Sequence, residues 1–281
     1  LERLVSATGF PVLADPLSDL RFGPHVDRLD VPVCGGYDGY LGSGSVDEWG
    51  DPDVVVRFGS SPTSKPLRHY LRDADCQQFL VDPTGGWSEA EFTATDLLVA
   101  DPDATADALS DGTLGGGESA WRERFAKAEQ IHWDAVDDFV AETYWEGGVL
   151  SDVAVLAPDP ATLFVSNSMP IRDMDRFGRP HDADLTVLGN RGASGIDGIT
   201  STALGAGSAT SDPLVLVTGD LAYYHDMNGL LALGRCEVDA TVVLINNDGG
   251  GIFHMLPIED HPTFEDQFRT PHGLDFEPTE A

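Results

Sequence analysis

Four apolar runs in the second half of the chain each end in a polar, glycine-bearing or serine-bearing turn: TLFVSNS (162–168), LTVLGNRG (185–192), LVLVTGD (214–220) and TVVLINND (241–248). Runs that are apolar throughout suit strands covered on both faces, as in a parallel sheet. In such a sheet the turns all emerge at the carboxyl edge, where open α/β folds bind their ligands. This one feature predicts an α/β fold with a ligand site built from those turns.

The first part of the chain repeats the theme. PVLAD (11–15), DVVVRFGS (53–60), QQFLVDP (77–83) and DLLVADP (96–102) read as strands, and SKPLRHYLRDA (64–74) as a helix between two of them. Alternation of strand and helix predicts a second parallel sheet. Residues 104–119 then shift to Gly, Ser and Asp, with GTLGGGES as the best linker. The expected division is a first domain over 1–113 and a second over 114–281. The second opens with a long helical pattern over 120–144, its apolar residues three and four apart, and a shorter helix over 148–159.

Charge narrows the partners. There are 48 acidic and 16 basic residues, a net charge of −32, and only two lysines, Lys65 and Lys127. Nucleic acid is a poor partner, because its phosphates call for basic patches, and the expectation is that none is bound. The acids are scattered rather than gathered in a tail, which fits a solvated surface in a very salty cytoplasm; the alternative is an acidic protein that binds cations or a basic partner. No apolar run is long enough to span a bilayer, and nothing in the sequence points to export. Cys34, Cys76 and Cys236 lie far apart without metal-site spacing, and they read as buried small hydrophobes in a reducing compartment.

The turns carry the chemistry. LVLVTGD and TVVLINND bracket a helical pattern, DMNGLLALGR (226–235), which makes one βαβ unit with parallel strands. If those strands are close, Asp220 and Asn247 emerge at the same edge. A carboxylate and an amide oxygen together suit a hard divalent cation such as Mg²⁺, whose remaining ligands are phosphate or water. Gly249 can add a backbone carbonyl. Free N–H groups at a helix start near Asp226 would receive phosphate oxygens. Ordinary capping and turn formation by Asp and Asn is the competing explanation.

The 27 residues from Asp220 to Asn247, with Gly219 before the first and Asn-x-Gly at the second, resemble the thiamin diphosphate motif. SNSMPIRDMD (166–175), GNRGASGIDGITSTALGAG (189–207) and NDGGGIFHMLP (247–257) narrow the likeness. Together they resemble signatures of the 2-succinyl-5-enolpyruvyl-6-hydroxy-3-cyclohexene-1-carboxylate synthase family, which acts in menaquinone biosynthesis. The likeness continues upstream through PVLADPLSDLRFG and RFGSSPTSKPLRHYL.

The resemblance implies a Rossmann-like middle domain followed by a domain that binds thiamin diphosphate through Mg²⁺ or Mn²⁺. It implies a transferase that decarboxylates 2-oxoglutarate and joins the product to isochorismate, in a cytoplasmic homodimer or homotetramer. Asp220, Asn247 and the Gly249 carbonyl would hold the metal, with Gly219, Leu221 and Gly250 beside the diphosphate. Ile196 would wedge beneath the cofactor; it reads equally as a core residue. Arg172 and Arg191 would grip substrate carboxylates with bidentate forks, or else pair with surface acids. Ser168 would donate to a carboxylate or cap a turn, and Lys65 would reach the substrate or stay solvated. Ile252 and Phe253 would form apolar walls that exclude water, or pack as plain hydrophobes. His225 and His254 lie near these motifs, but neither is assigned a role.

The family's pyrimidine-binding domain, with the glutamate that activates the cofactor, has no counterpart here. The chain begins with Leu in what resembles the middle domain, so the expectation is a piece truncated at both ends and inactive alone, with no catalytic residue of its own. Another thiamin carboligase, of the acetolactate synthase type, and a non-catalytic cofactor-binding module are the alternatives.

Overall fold

A computed structural model of the chain describes residues 2–112 and 120–279. Among these residues lie nine strands: β1 (Val12–Leu13), β2 (Val33–Cys34), β3 (Val54–Phe58), β4 (Gln77–Val81), β5 (Asp96–Leu98), β6 (Ala161–Val165), β7 (Leu185–Leu188), β8 (Leu214–Gly219) and β9 (Ala240–Ile245). Every strand pair is parallel, in sheets ordered β1-β2, β3-β4-β5 and β7-β6-β8-β9. The α/β expectation with two parallel-sheet parts is met.

Two compact units form, Leu1–Ala154 with Asp175–Ala183, and Val155–Met174 with Asp184–Ala281. The linker GTLGGGES lies almost wholly outside the described residues, and the domain division near residue 114 stays a proposal. The helix Ala120–Glu142 packs within the first unit, with Phe125 buried against Cys34, Tyr37, Tyr40 and Leu67. Glu129 adds a polar anchor. Its carboxylate accepts from the backbone N–H groups of Gly35 (3.1 Å) and Gly36 (3.0 Å), from the Tyr40 hydroxyl (2.8 Å) and from Trp133 Nε1 (2.7 Å). A buried carboxylate needs such donors to offset its lost hydration.

A second buried charge sits in the same unit. Arg21 is fully buried and donates to the Asp175 carboxylate (2.8 Å), the Tyr37 hydroxyl (2.9 Å) and the carbonyls of Ala14 (2.6 Å) and Gly178 (3.1 Å). Burial, and then the charge of Asp175, push the Tyr37 phenol well up, so it stays a donor to Asp175 at 2.7 Å.

Two local expectations are corrected here. The shift to Gly, Ser and Asp from residue 104 does not end regular structure there: the helix Pro102–Gly112 starts where Asp101 Oδ1 accepts the Ala104 N–H at 2.9 Å, a standard cap. Its flank is tied by Arg3, which pairs with Asp107 (2.5 Å) and Asp111 (2.7 Å). Of the cysteines, only Cys34 is buried; Cys76 is half-buried, and Cys236 is exposed at the end of the helix Leu231–Cys236.

In the second unit, burial follows position in the sheet. Central β6 is buried at every residue and β8 at all but its last. Edge strand β7 alternates buried and exposed, and edge strand β9 is half-buried. Phe164, Leu214 and Leu216 pack with Ile199, Ala203 and Leu204 of the helix Ile199–Gly207. Each such large side chain contributes about 1.5–3 kcal/mol of burial. The chain leaves β6 for β7 on one side, and β8 lies on the other. The switch in strand order therefore falls between the carboxyl ends of β6 and β8, where a crevice is expected.

Candidate functional site

Strands β8 and β9 are direct neighbours, paired from Leu214–Ala240 to Gly219–Ile245. Asp220 and Asn247 therefore leave the sheet at the same carboxyl edge, as expected if the two strands are close. Asp220 is 3% exposed. Its Oδ2 accepts the Gly249 N–H at 2.9 Å, which joins the two turns directly. Its Oδ1 accepts the Leu221 N–H at 2.7 Å.

The helix after β8 starts earlier than expected. It runs Asp220–Asp226, followed by a 3₁₀ turn over Met227–Leu230 and the helix Leu231–Cys236. Asp220 is itself the first helical residue, so the helix start at the sheet edge lies there, and Asp226 sits at the junction of that helix with the 3₁₀ turn. A short polar residue directly after Gly219 in extended backbone makes the earlier start natural.

The turn after β9 needs its glycines. Gly249 has φ +135°, and a Cβ there would collide with the Arg269 carbonyl oxygen. That carbonyl accepts the Gly250 N–H at 2.7 Å. Asp248 in turn accepts the N–H groups of Gly273 (2.7 Å) and His272 (3.0 Å), which hold its carboxyl below the usual range. The segment 269–273 is thus strapped across the Asn-Asp-Gly-Gly turn.

Sequence reasoning missed one residue of this site. His272 Nε2 lies 3.0 Å from Asp220 Oδ2, and its side chain is 13% exposed. It reaches the carboxylate from 52 residues away on an irregular segment (270–276), so no spacing pattern announces it. His225 and His254, the two histidines nearest in the motifs, do not touch Asp220. His225 is exposed on the helix Asp220–Asp226, and His254 pairs with Glu259 at 2.8 Å on the surface.

Ile196 and Leu221 come together. With Tyr224, His225, Met227 and Asn228 they line a hollow of about 420 Å³. Arg191 is exposed in a second hollow of about 410 Å³, with Asn190, Asp197 and Thr202. Arg172 lies on the helix Met169–Phe177 and donates from Nη1 to the Ser168 carbonyl at 2.6 Å. Ser168 has φ +73°, a costly conformation for a residue with a side chain. Ile252 and Phe253 lie in the 3₁₀ turn Gly251–Met255 and line neither hollow. Phe253 packs on Gly250 and edge-on to Phe268 (centroids 5.8 Å). Lys65 is in the other unit, exposed at the start of the helix Lys65–Asp73, after its cap Ser64.

The site fits a cation and a phosphate-bearing group by its donor set. Among the described residues no three His, Cys, Asp or Glu side chains are placed to share a metal ion. A cation here would rest on one carboxylate, one amide and other oxygens, which is the ligand style of Mg²⁺ with a phosphate partner. Asn167, 6% exposed in the turn after β6, adds a second sign. Among the described residues neither of its amide atoms has a hydrogen-bond partner. A buried amide without partners costs about 1–3 kcal/mol per group, a cost that a bound polar molecule at the β6–β8 switch would remove. No helix among the described residues is long and apolar enough to cross a membrane.

No protein-family model matches the chain. Curated proteins do. The chain is 89% identical over 281 residues, all of its length, to the 2-succinyl-5-enolpyruvyl-6-hydroxy-3-cyclohexene-1-carboxylate synthase of Haloarcula marismortui, covering 48% of that protein. It is 64% identical over 281 residues, again its whole length, to the synthase of the same name from Natronomonas pharaonis, covering 46% of it. Against the one from Roseiflexus castenholzii it is 46% identical over 281 residues, with 98% of this chain and 47% of that protein covered. The chain spans about half the length of the curated relatives it matches.

Proposed function

We propose, on the premise that this chain belongs to the 2-succinyl-5-enolpyruvyl-6-hydroxy-3-cyclohexene-1-carboxylate synthase family, that its protein is a thiamin diphosphate-dependent transferase of menaquinone biosynthesis. The substrates are 2-oxoglutarate and isochorismate, and the protein works as a cytoplasmic homo-oligomer adapted to high salt. The observation that carries the reading is the Gly249 N–H on Asp220 Oδ2 at 2.9 Å, which unites the two motif turns at the carboxyl edge of adjacent parallel strands.

Asp220, Asn247 and the Gly249 carbonyl would hold Mg²⁺ or Mn²⁺, with Gly219, Leu221 and Gly250 beside the diphosphate. Bound thiamin diphosphate supplies the carbanion chemistry that decarboxylates the 2-oxo acid and forms the new carbon–carbon bond. Ile196, which shares a hollow with Leu221, would support the cofactor from below. Both substrates are dicarboxylates, in a chain poor in cations. Arg172 and Arg191 are assigned to their carboxylates, with Ser168 and Lys65 as further donors. The Ser168 carbonyl bond gives the Arg172 guanidinium a fixed orientation before substrate arrives. Ile252 and Phe253 would keep water from the reacting carbon. None of the chain's own residues is assigned the proton transfer that activates the cofactor; in this reading that glutamate belongs to a domain outside these 281 residues, and the chain alone is inactive.

The test is isochorismate consumption by the full-length protein in high KCl with 2-oxoglutarate, thiamin diphosphate and Mg²⁺. Turnover that needs 2-oxoglutarate, thiamin diphosphate and Mg²⁺ and disappears in Asp220→Ala supports the reading. Turnover without 2-oxoglutarate, or none with the folded full-length protein, overturns it.

A further inference from the structure

The carboxylate assigned to the cation is already engaged by the protein, and unequally. Oδ2 of Asp220 takes two donors, the Gly249 N–H (2.9 Å) and His272 Nε2 (3.0 Å). Among the described residues Oδ1 takes one, the Leu221 N–H (2.7 Å). A carboxylate oxygen offers about two lone-pair sites. Oδ2 is therefore filled by the protein, whereas Oδ1 keeps one site for an incoming ligand.

His272 is built to donate at this point. The Leu274 N–H points at Nδ1 of the same ring, at 2.9 Å. A backbone N–H can only donate, so Nδ1 accepts and the proton sits on Nε2. The ring is also held in place. It stands edge-on to buried Phe276 (centroids 5.8 Å), and Phe276 stands edge-on to Tyr223 of the helix that begins at Asp220 (5.7 Å). The Tyr223 hydroxyl closes the far side by donating to Thr279 at 3.0 Å. The Asp248 bonds to the N–H groups of His272 and Gly273 fix the backbone beneath the ring.

We infer that His272 is a positioning residue for the cation: its Nε2–H occupies Oδ2 and so leaves Oδ1 as the oxygen that Asp220 presents. It is not a metal ligand. Donors behind a ligating carboxylate orient it and typically contribute about 10- to 100-fold to metal affinity. The inference rests on the assignment of Asp220 to the cation. It adds that the strap 269–273 belongs to the metal site, although it lies outside the motifs that name the site.

The experiment is titration of the full-length protein with Mn²⁺, the free ion counted by its paramagnetic resonance, with thiamin diphosphate present at fixed concentration. His272→Met removes the donor while keeping a side chain of similar reach, and His272→Gln keeps an N–H donor. The expected result is Mn²⁺ binding weakened by about 10- to 100-fold in the Met variant and largely restored in the Gln variant. Leu274→Pro, which deletes the N–H that sets the tautomer, should weaken binding in the same direction. Mn²⁺ binding unchanged or tightened in a folded His272→Met protein overturns the inference, as does a Gln variant no better than Met. Asp220→Ala separates the two levels. If it binds Mn²⁺ undiminished, the cation assignment itself fails; if it loses Mn²⁺ while the His272 variants match the wild type, only the role of His272 fails.

Discussion

Gly249 donates its backbone N–H to Oδ2 of Asp220 across 29 residues of chain, at 2.9 Å. The bond exists because Gly249 adopts φ +135°, which residues with a Cβ avoid, and because no side chain separates it from the Arg269 carbonyl. The turn after β9, the first residue after β8 and the strap near residue 270 therefore meet at one glycine.

Gly249→Ala should break this junction. The new methyl group meets a backbone carbonyl, which cannot swing away as a side-chain tip can. The expected loss is more than about 1 kcal/mol of stability, with faster proteolytic cleavage in residues 265–279. Thermal melts and limited proteolysis check it. Gly273→Ala is the comparison. It also has positive φ (+60°), but a Cβ there meets nothing, so it should carry backbone strain and leave the junction intact.

Glu129→Leu should destabilise the first unit by on the order of 3–5 kcal/mol. It removes the acceptor from two backbone N–H groups, the Tyr40 hydroxyl and the Trp133 indole, all in a buried setting. Denaturant unfolding in high KCl measures the loss.

Arg21→Met should cost about 3–5 kcal/mol, because it leaves the Asp175 carboxylate buried without its cation. The double variant Arg21→Met with Asp175→Leu should be more stable than Arg21→Met alone. If the two losses simply add, the pair does not act as a unit.

Glu89 predicts a pH dependence. Burial raises its pKa, but the N–H groups of Glu91 and Thr93 and the Arg57 charge outweigh this and hold it below the ordinary value. Thr93 donates at 2.6 Å and Glu91 at 3.0 Å. A depressed carboxylate contributes stability above its unfolded pKa, and that contribution is lost as pH falls through the folded value. Glu89→Gln should therefore be less stable than the wild type at pH 7, by about 1.5 kcal/mol or more. The gap should close as pH falls below about 4. A gap that stays constant from pH 7 to pH 3 contradicts the assignment.

Legibility from sequence divides along physical lines. The parallel sheet is readable because β6 and β8 are central and buried on both faces, which demands uninterrupted apolar runs. Asp220 and Asn247 are readable because β8 and β9 are neighbours joined by one crossover, so strand ends fix where the side chains emerge. His272 is not readable, since it arrives through an irregular segment held by backbone bonds to Asp248, and such bonds leave no periodic trace. The helix Pro102–Gly112 is hidden by its composition: it has no buried residue and hence no apolar stripe. Asn167 stands in plain view in SNSMPIRDMD, but its distinguishing property is burial without a partner among the described residues, which only the packed structure reveals.

The central claim is that Asp220 holds the cation through which the protein binds thiamin diphosphate. The most direct measurement is calorimetric titration of thiamin diphosphate into the full-length protein, with Mg²⁺ and with chelator, for wild type and Asp220→Ala. The account predicts Mg²⁺-dependent binding in the wild type and its loss in the variant, at unchanged thermal stability of the first unit. Equal affinity in the folded variant, or equal affinity with chelator, would contradict it.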